Sequence, residues 1–416
     1  MATFGTSGND ILNGTSGDDR ILGLSGNDQI SGGSGNDIIY GDTGDTSPQS
    51  LANTGTAGHQ SSGITVPLPG GGYYVVWYNG SDTDNTSTFV SGQFFDASGT
   101  KVGGQMTLGA VGSGFYNVEG NTVYDMPQLA ATITTHGDIV VAWQTNDVSN
   151  ADGSGSAIVA QGINSFTGQL SSTQIMNTDT FGNQSGPAVI ATNDGGFFLA
   201  WSDHAHLNDT TAQAVRGQFF TITGAKNGAE LTIGTVGVEG ADLGHAPPIS
   251  LASLNNGNIV VNWQGENFQS PDGTATTAVL GSVVNQDTQT AGSQFLVNTP
   301  TAGNESVPVT VATQDGGFFT VWYDNANLPD GATMLVHGQF FNANGSKVGA
   351  QLNIGTSAVE GNTSYEMPPL AVTVLAGGKI VVTWQTDNTL NVDGSGTAVV
   401  SATVDPASHT AGPQVL

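Results

Sequence analysis

Residues 5–40 read GTSGNDILN GTSGDDRIL GLSGNDQIS GGSGNDIIY, and this stretch decides the fold of the N-terminal part of the chain. Each nine-residue copy has glycine at its first and fourth positions, aspartate at its sixth and leucine or isoleucine at its eighth. The repeated residues are Gly5, Gly8, Asp10, Gly14, Gly17, Asp19, Gly23, Gly26, Asp28, Gly32, Gly35 and Asp37. Four residue types that recur at one period predict a stacked repeat structure and argue against a flexible linker.

The residue types at these positions suit a calcium site. Calcium takes six to eight oxygen ligands and accepts both carboxylates and backbone carbonyls. Glycine allows the tight turns that present such carbonyls, and aspartate supplies the negative charge. We expect the turns to contribute ligands as well, through Asn9, Asn27, Asn36 and Asp45. The aliphatic eighth position predicts a short strand after each turn.

The nonapeptides resemble the RTX (repeats-in-toxin, hemolysin-type) pattern G-G-x-G-x-D-x-U-x. The resemblance implies a parallel β-roll with two nonapeptides per turn, and calcium between one repeat and the next but one. Asp10 would then face the turn at 23–28, and Asp19 the turn at 32–37. The site of Asp28 is doubtful, because Thr46 holds the sixth position of the decaying fifth copy. The resemblance also implies an extracellular or cell-surface protein exported by type I secretion, without naming its activity.

The composition fits a calcium-loaded protein. The chain has 416 residues and no cysteine, with 6 Lys or Arg against 34 Asp or Glu and a formal charge of −28. Such a charge disfavours nucleic acid as a partner and favours divalent cations as counterions. No apolar run is long enough for a membrane span, so we expect none.

A second, longer repeat begins near residue 50. Its six copies each consist of glycine, an apolar run and a tryptophan, and these end at Trp77, Trp143, Trp201, Trp263, Trp322 and Trp384. The odd copies share GQFF, at 92–95, 217–220 and 338–341, whereas the even copies share Trp-Gln. Short β-branched runs separated by Gly/Asn/Asp turns predict four strands per copy. We therefore predict an all-β fold, with an N-terminal parallel β-roll at 1–47 and a six-bladed β-propeller at 48–416. A string of β-sandwich-like repeats is the alternative.

Acidic residues recur in the long loops of this second repeat. The candidates for a ligand-binding face are Glu119, Glu239, Glu360, Asp152 and Asp393. They suit a ring of calcium or saccharide ligands. They equally suit turn chemistry, because Asp-Gly favours tight turns and a recurring Glu can bond a neighbouring backbone. The tryptophans each end an apolar run, so we expect them in the core between blades.

The sequence leaves catalysis open and favours a non-enzymatic role. It contains no H-E-x-x-H, G-x-S-x-G or P-loop motif. Near-identical repeats favour a secreted, calcium-binding structural or adhesive protein. Its partners would be calcium and further copies of itself, as a homo-oligomer or filament, or extracellular polysaccharide. The alternative is a polysaccharide-binding module or a carbohydrate-active enzyme, a lyase or glycosidase, on the propeller.

Overall fold

A computed structural model describes residues 2–415, except the following positions and ranges: 7, 9, 18, 23–28, 32–37, 41–50, 55–59, 81–87, 113–127, 147–151, 154, 205–212, 238–247, 270–274, 300–303, 326–332, 359–369 and 388–396. The contacts divide the chain into two units, Met1–Thr54 and Gly55–Leu416. All regular elements of the described residues are β-strands. Within this part of the chain, no helix is long and apolar enough to span a membrane.

The first unit is a parallel β-roll. Its strands are β1 (Ala2–Phe4), β2 (Ile11–Asn13), β3 (Arg20–Leu22), β4 (Gln29–Ser31) and β5 (Ile38–Tyr40). β1, β3 and β5 form one parallel sheet, and β2 and β4 form another. Ile21 pairs with Ile39, and Leu12 pairs with Ile30. Each strand thus pairs with the strand two nonapeptides further on, as the RTX resemblance implies.

The second unit contains six antiparallel sheets, which we call blades 1 to 6 in chain order. Blade 1 holds β6 (Gln60–Pro67), β7 (Tyr73–Gly80), β8 (Thr88–Phe95) and β9 (Lys101–Gly112). Blade 2 holds β10 (Ala130–Ile133), β11 (Asp138–Thr145), β12 (Ala157–Asn164) and β13 (Gln174–Ile175). Blade 3 holds β14 (Asn183–Ala191), β15 (Phe197–His204), β16 (Gln213–Phe220) and β17 (Lys226–Gly237).

Blades 4 to 6 repeat this arrangement. Blade 4 holds β18 (Ile249–Ser253), β19 (Ile259–Gln269), β20 (Ala275–Asn285), β21 (Thr290–Ala291) and β22 (Phe295–Leu296). Blade 5 holds β23 (Glu305–Ala312), β24 (Phe318–Asp324), β25 (Thr333–Phe341) and β26 (Lys347–Ala358). Blade 6 holds β27 (Leu370–Val374), β28 (Ile380–Asp387), β29 (Thr397–Asp405) and β30 (Thr410–Ala411). In each of these six successive sheets, the strands lie side by side in the order in which they occur along the chain. The second unit is a six-bladed β-propeller.

The GQFF motif of the odd blades has a packing role. Its glycine leaves room for a ring from the neighbouring strand: a β-carbon on Gly217 would lie 2.4 Å from Cζ of Phe198. Its glutamine is buried, and Gln218 Nε2 donates to the carbonyl oxygens of Phe219 at 3.0 Å and Asn227 at 3.2 Å. The motif therefore fastens the fourth strand to the third by one side chain.

The core lies between consecutive blades. Five hydrophobic clusters fill the junctions of blades 1 and 2, 2 and 3, 3 and 4, 4 and 5, and 5 and 6. All six tryptophans are buried, so the prediction of a core role is confirmed. In the even blades the indole Nε1 donates to a carbonyl of the preceding blade, as Trp143 does to Ala110 at 3.1 Å. The odd-blade indoles have no such partner among the described residues.

The outward faces of blades 1 and 6 differ from the other blade faces. Val399 of blade 6 is 66% exposed, whereas its counterparts Ile158 and Val279 are fully buried. On blade 1, Tyr73 and Val75 are partly exposed, whereas the corresponding residues of blades 3 and 5 are buried. The faces between consecutive blades are buried against each other. The described residues do not bury the outward faces of blades 1 and 6 to the same extent.

Candidate functional sites

The first two nonapeptide turns share one hydrogen-bond pattern. Asp10 Oδ2 accepts from the backbone N–H of Thr6 at 2.6 Å and from its hydroxyl at 2.8 Å. Asp19 Oδ2 accepts in the same way from the N–H and hydroxyl of Thr15, at 2.5 and 2.7 Å. In these two repeats, the sixth-position aspartate is thus held against the second-position residue of the same turn. This bonding fixes where each carboxylate lies on the turn.

Asp19 is the better enclosed of the two carboxylates, at 4% exposure. The hydrogen bonds from Thr15 hold the pKa of its carboxyl below the ordinary value of 3.8, so it stays charged in mild acid. A buried carboxylate on a glycine-rich turn, repeated along a parallel roll, provides the hard oxygen donors that calcium prefers. The described turns therefore fit calcium, and Asp10 and Asp19 are the carboxylates that would hold it.

The described residues hold only part of the predicted calcium ligand set. Gly5, Gly8, Gly14 and Gly17 lie in the first two turns, beside Asp10 and Asp19. The remaining predicted ligands lie outside the described residues; they are Asn9, Gly23, Gly26, Asn27, Asp28, Gly32, Gly35, Asn36, Asp37 and Asp45. Their role stays a prediction.

Of the five acidic residues predicted for a ligand face of the propeller, Asp152 is described. Its Oδ2 accepts from Asn177 Nδ2 at 2.6 Å, across the link between blades 2 and 3. Asn177 in turn accepts from the backbone N–H of Ile158 at 3.1 Å. Asp152 therefore takes part in a contact between chain segments. Glu119, Glu239, Glu360 and Asp393 lie outside the described residues.

A buried polar cluster lies near Asp152, at the end of the blades where the second strand leads into its long loop. Gln184 Nε2 donates to Asp203 Oδ1 at 3.3 Å, and Arg216 Nε donates to Asp203 Oδ2 at 3.0 Å. Gln184 and Asp203 are almost fully buried. These three side chains come from the first three strands of blade 3, and we call them the blade 3 triad.

Burial shifts the pKa values of charged groups around the blade 3 triad. Desolvation raises the pKa of Asp203 above its ordinary value, although Gln184 and Arg216 act in the opposite direction. Burial likewise raises the pKa of Glu230, whose Oε2 accepts from the N–H of Thr178 at 2.6 Å. Burial lowers the pKa of Lys226, which donates to the carbonyl of Asn177 at 2.9 Å. Such partly compensated charges are common both in structural junctions and in functional sites.

The same three positions of blade 5 carry different chemistry. Glu305 pairs with Asp324 across β23 and β24, and both are 1% exposed. His337 Nδ1 lies 3.1 Å from Asp324 Oδ2 and 3.0 Å from Gln351 Nε2. The blade 5 triad is thus Glu305, Asp324 and His337. It differs from the blade 3 triad by a carboxylate in place of an amide and an imidazole in place of a guanidinium.

Blade 1 carries a neutral version of this cluster. Gln60 Nε2 donates to Asn79 Oδ1 at 3.2 Å, and Ser91 stands at the third position. The three triads therefore share one location and differ in acid–base content. Only the blade 5 triad combines two acids with a histidine, which makes it the asymmetric group among the described triads. Glu305 of the blade 5 triad stands where the other two triads have a glutamine, whose side-chain amide donates to the neighbouring side chain.

Sequence reasoning missed these triads. One signal was present: the polar residue two positions after the tryptophan in each odd copy, which is Asn79, Asp203 or Asp324. The other members lie more than ten residues away on separate strands, so only the strand register brings them together.

A known family of sequence repeats matches the first unit. The profile described as RTX calcium-binding nonapeptide repeat (4 copies) matches residues 4–39 and 13–46. Residues 4–46 are RTX calcium-binding nonapeptide repeats. The RTX repeats cover about a tenth of the chain, and the propeller lies outside the match. The recognition made from the nonapeptide pattern is therefore confirmed. No curated protein matches the sequence significantly.

Solved structures resemble the chain in fold. An ulvan lyase of a new polysaccharide lyase family, bound to a GlcA(1-4)Rha3S unit, has a TM-score of 0.54 at 11% identity, covering 88% of this chain and 87% of that chain. The GH93 α-L-arabinofuranosidase of Fusarium graminearum with arabinobiose has a TM-score of 0.45 at 13% identity, covering 86% and 97%. The α-L-arabinanase of Penicillium chrysogenum has 0.45 at 16%, covering 86% and 99%. The likeness to the lyase is one of fold alone.

Proposed function

We propose that the protein works outside the cell as a calcium-stabilised structural or adhesive protein that associates with further copies of itself. The RTX repeats support the calcium part, because their aspartates and glycine turns offer hard oxygen ligands. Proteins with such repeats are typically exported, which supports an extracellular or cell-surface location.

The exposed faces of blades 1 and 6 carry the proposal of self-association. Blade 6 presents Val399, which is 66% exposed, and Val415, which is 53% exposed. An odd blade follows an even blade at the junctions of blades 2 and 3 and of blades 4 and 5. The face of blade 6 therefore matches the face of blade 1 in kind. A second copy that packs on this face of blade 6 would bury both valines.

Light scattering on the purified chain, with and without calcium, tests the association. We expect oligomers in the wild type and monomers in Val399→Glu, because a charge in a desolvated blade junction is costly. Phe166→Glu is the matched control, since Phe166 is 76% exposed and lies away from both faces. It should leave the oligomers intact. A wild type that is monomeric in both conditions would overturn the association.

Export has its own test. The full chain expressed with a type I transporter should reach the medium, and without the transporter it should remain with the cells. Equal amounts in the medium in both cases would contradict type I secretion and leave the calcium role unaffected.

The blade 5 triad favours a second candidate function, a polysaccharide-binding or carbohydrate-active protein. Two buried acids beside a histidine can hold and move a proton, which is what a lyase or glycosidase requires. The fold that the chain shares with an ulvan lyase is compatible with this role.

Turnover of neutral and anionic polysaccharides tests the second candidate. The double variant Glu305→Gln and His337→Arg copies the blade 3 triad, so it should fold normally and lose any activity. The control variant Gln60→Ala, made in the neutral triad of blade 1, should leave activity unchanged. An active blade 5 variant would remove the triad from the chemistry, and a wild type without turnover would exclude the enzyme.

A further inference from the structure

The side-chain amide of Gln351 has a fixed orientation beside the blade 5 triad. Gln351 lies on β26, next to the strand that carries His337. Its Oε1 accepts from the backbone N–H of Thr299 at 2.7 Å. A backbone N–H can only donate, so the amide oxygen faces Thr299 and the amide nitrogen faces away from it. Glu230 of blade 3 accepts in the same way from the N–H of Thr178 at 2.6 Å, so both blades keep an acceptor at this place.

The amide nitrogen of Gln351 decides the role of one ring nitrogen of His337. Gln351 Nε2 lies 3.0 Å from His337 Nδ1. The amide nitrogen carries two hydrogens and cannot accept, so Nδ1 must be the acceptor and has no hydrogen of its own. The hydrogen of the imidazole then lies on Nε2. A hydrogen on Nδ1 would instead set one donor against another.

Asp324 acts on the same ring nitrogen in the opposite sense. Its Oδ2 lies 3.1 Å from His337 Nδ1. A carboxylate beside an imidazole usually holds the hydrogen on the nearer nitrogen, as in Ser-His-Asp triads, and leaves Nε2 as a base. In blade 5, that arrangement would place two donors face to face at Gln351, and turning the amide would move the conflict to the N–H of Thr299. A hydrogen bond between Asp324 and His337 therefore needs its hydrogen on the carboxyl oxygen.

His337 is the most exposed member of the blade 5 triad. It is 8% exposed, whereas Glu305 and Asp324 are each 1% exposed. Its Nε2 has no hydrogen-bond partner among the described residues. The N–H at Nε2 is therefore the polar group of the triad that a ligand can meet first.

The backbone beside Glu305 is strained. Val307, two residues further along β23, has a φ of 52°. This left-handed conformation is rare for a β-branched residue. At the corresponding bulge of blade 3, Gly186 has a φ of 61°, which glycine adopts at little cost. Strain of this kind persists where the surrounding structure imposes it and is common at functional sites, which singles out blade 5 independently of its hydrogen bonds.

We propose that Gln351 is a positioning residue that keeps the imidazole hydrogen of His337 on Nε2. His337 then donates this hydrogen to an oxygen atom of a bound saccharide and polarises it, as an imidazole that acts as an electrophile does. Proton acceptance in the triad falls to the carboxyl groups of Glu305 and Asp324. The catalytic part of this inference rests on the second candidate function, whereas the assignment of the ring hydrogen does not.

NMR of ring-¹⁵N-labelled histidine in the full calcium-loaded chain at pH 7 tests the assignment. The signals of His337 are those that His337→Gln lacks. We expect the wild type to have no hydrogen on Nδ1 and one on Nε2. Gln351→Met removes the donor, and Gln351→Glu replaces it with the acceptor that blade 3 has, so both should place a hydrogen on Nδ1. Gln105→Met, at the same position of blade 1, is the matched control and should leave the signals of His337 unchanged.

Polysaccharide turnover gives a second measurement. Gln351→Met should lower kcat about a hundredfold and leave KM nearly unchanged, because the reacting oxygen loses a hydrogen-bond donor. Gln105→Met should keep the kcat and KM of the wild type. Circular dichroism and the melting temperature of each variant show whether it folds, and Gln351→Glu keeps an acceptor for Thr299 if Gln351→Met does not fold.

The two measurements fail separately. A bare Nδ1 in the wild type that gains a hydrogen in the Gln351 variants supports the proposal. A wild type with a hydrogen on Nδ1, or the same ring signals in the wild type and in Gln351→Glu, overturns it. A confirmed ring assignment without any turnover would remove the second candidate function and the catalytic role of His337 together. An unchanged kcat in Gln351→Met would remove the catalytic role alone.

Discussion

The glycine of GQFF is a residue at which a single added methyl group should matter. We expect Gly217→Ala to lower the free energy of unfolding by about 1–3 kcal/mol, because its β-carbon would overlap the ring of Phe198 and Cδ1 of Ile233. Urea unfolding measures the change. Gly104→Ala is the control, since no atom lies within 4 Å of its added carbon. Equal losses in the two variants would show that the close contact is not the cause.

Arg216 neutralises Asp203, the acid of the blade 3 triad. Its removal in Arg216→Met leaves Asp203 buried without its ion pair, which we expect to cost about 3 kcal/mol at pH 7. Asp203→Asn in the same chain should recover part of the loss. Thermal unfolding of the two variants measures both effects.

The loss in Arg216→Met should depend on pH. Burial places the folded-state pKa of Asp203 above its ordinary value of 3.8, and removal of Arg216 raises it further. A raised carboxyl pKa contributes stability below the unfolded pKa and loses it as pH rises through the folded pKa. The variant should therefore approach the wild type near pH 4 and fall behind at neutral pH. A deficit that does not change with pH would contradict a charge effect.

At the scale of elements, each strand of the roll is only three residues long, so the turns must stabilise it. We expect Asp19→Asn to weaken calcium binding, because it removes a charged ligand from a buried turn. Calorimetric titration measures the affinity. Asp96→Asn is the matched control: Asp96 also accepts from turn hydroxyl and amide groups, but it lies in blade 1. A similar loss in both would contradict the site.

Acid should release calcium from the same turns. Hydrogen bonds from Thr15 lower the pKa of Asp19, so its stabilising contribution is present above pH 3.8 and is lost as pH falls through the lower folded value. Thr15→Val removes the hydroxyl and should move the loss of calcium to higher pH. Titration of calcium affinity against pH gives the midpoint, and an unchanged midpoint would contradict the role of Thr15.

Sequence periodicity predicted the elements well, for a physical reason. The nonapeptide period and the alternation of odd and even copies both reflect local patterns, in which glycine turns and apolar runs recur at fixed spacing. The RTX resemblance also predicted the strand register of the roll, and the structure shows this pairing between strands two nonapeptides apart. The blade 5 triad could not be predicted, because Glu305, Asp324 and His337 meet only through strand pairing.

At the scale of the whole molecule, the chain consists of two units that are held together differently. The propeller has clusters of buried side chains between its blades, whereas we propose that bound calcium stabilises the roll. We expect a calcium chelator to expose residues 5–45 to protease while the propeller remains resistant. Limited proteolysis with mass spectrometry shows the cut sites. Protection of 5–45 after chelation would contradict metal-dependent folding of the roll.

The alternation of the tryptophans has an optical consequence. Trp143, Trp263 and Trp384 each donate an indole hydrogen to a carbonyl, whereas Trp77, Trp201 and Trp322 are buried without a partner for Nε1 among the described residues. A hydrogen-bonded indole emits at longer wavelength than one in a dry, apolar setting. The fluorescence of the native chain should therefore contain two classes of emitter, divided by blade parity. A structural change at the junctions of one class of blade can therefore be followed by the emission wavelength of the tryptophans in that class.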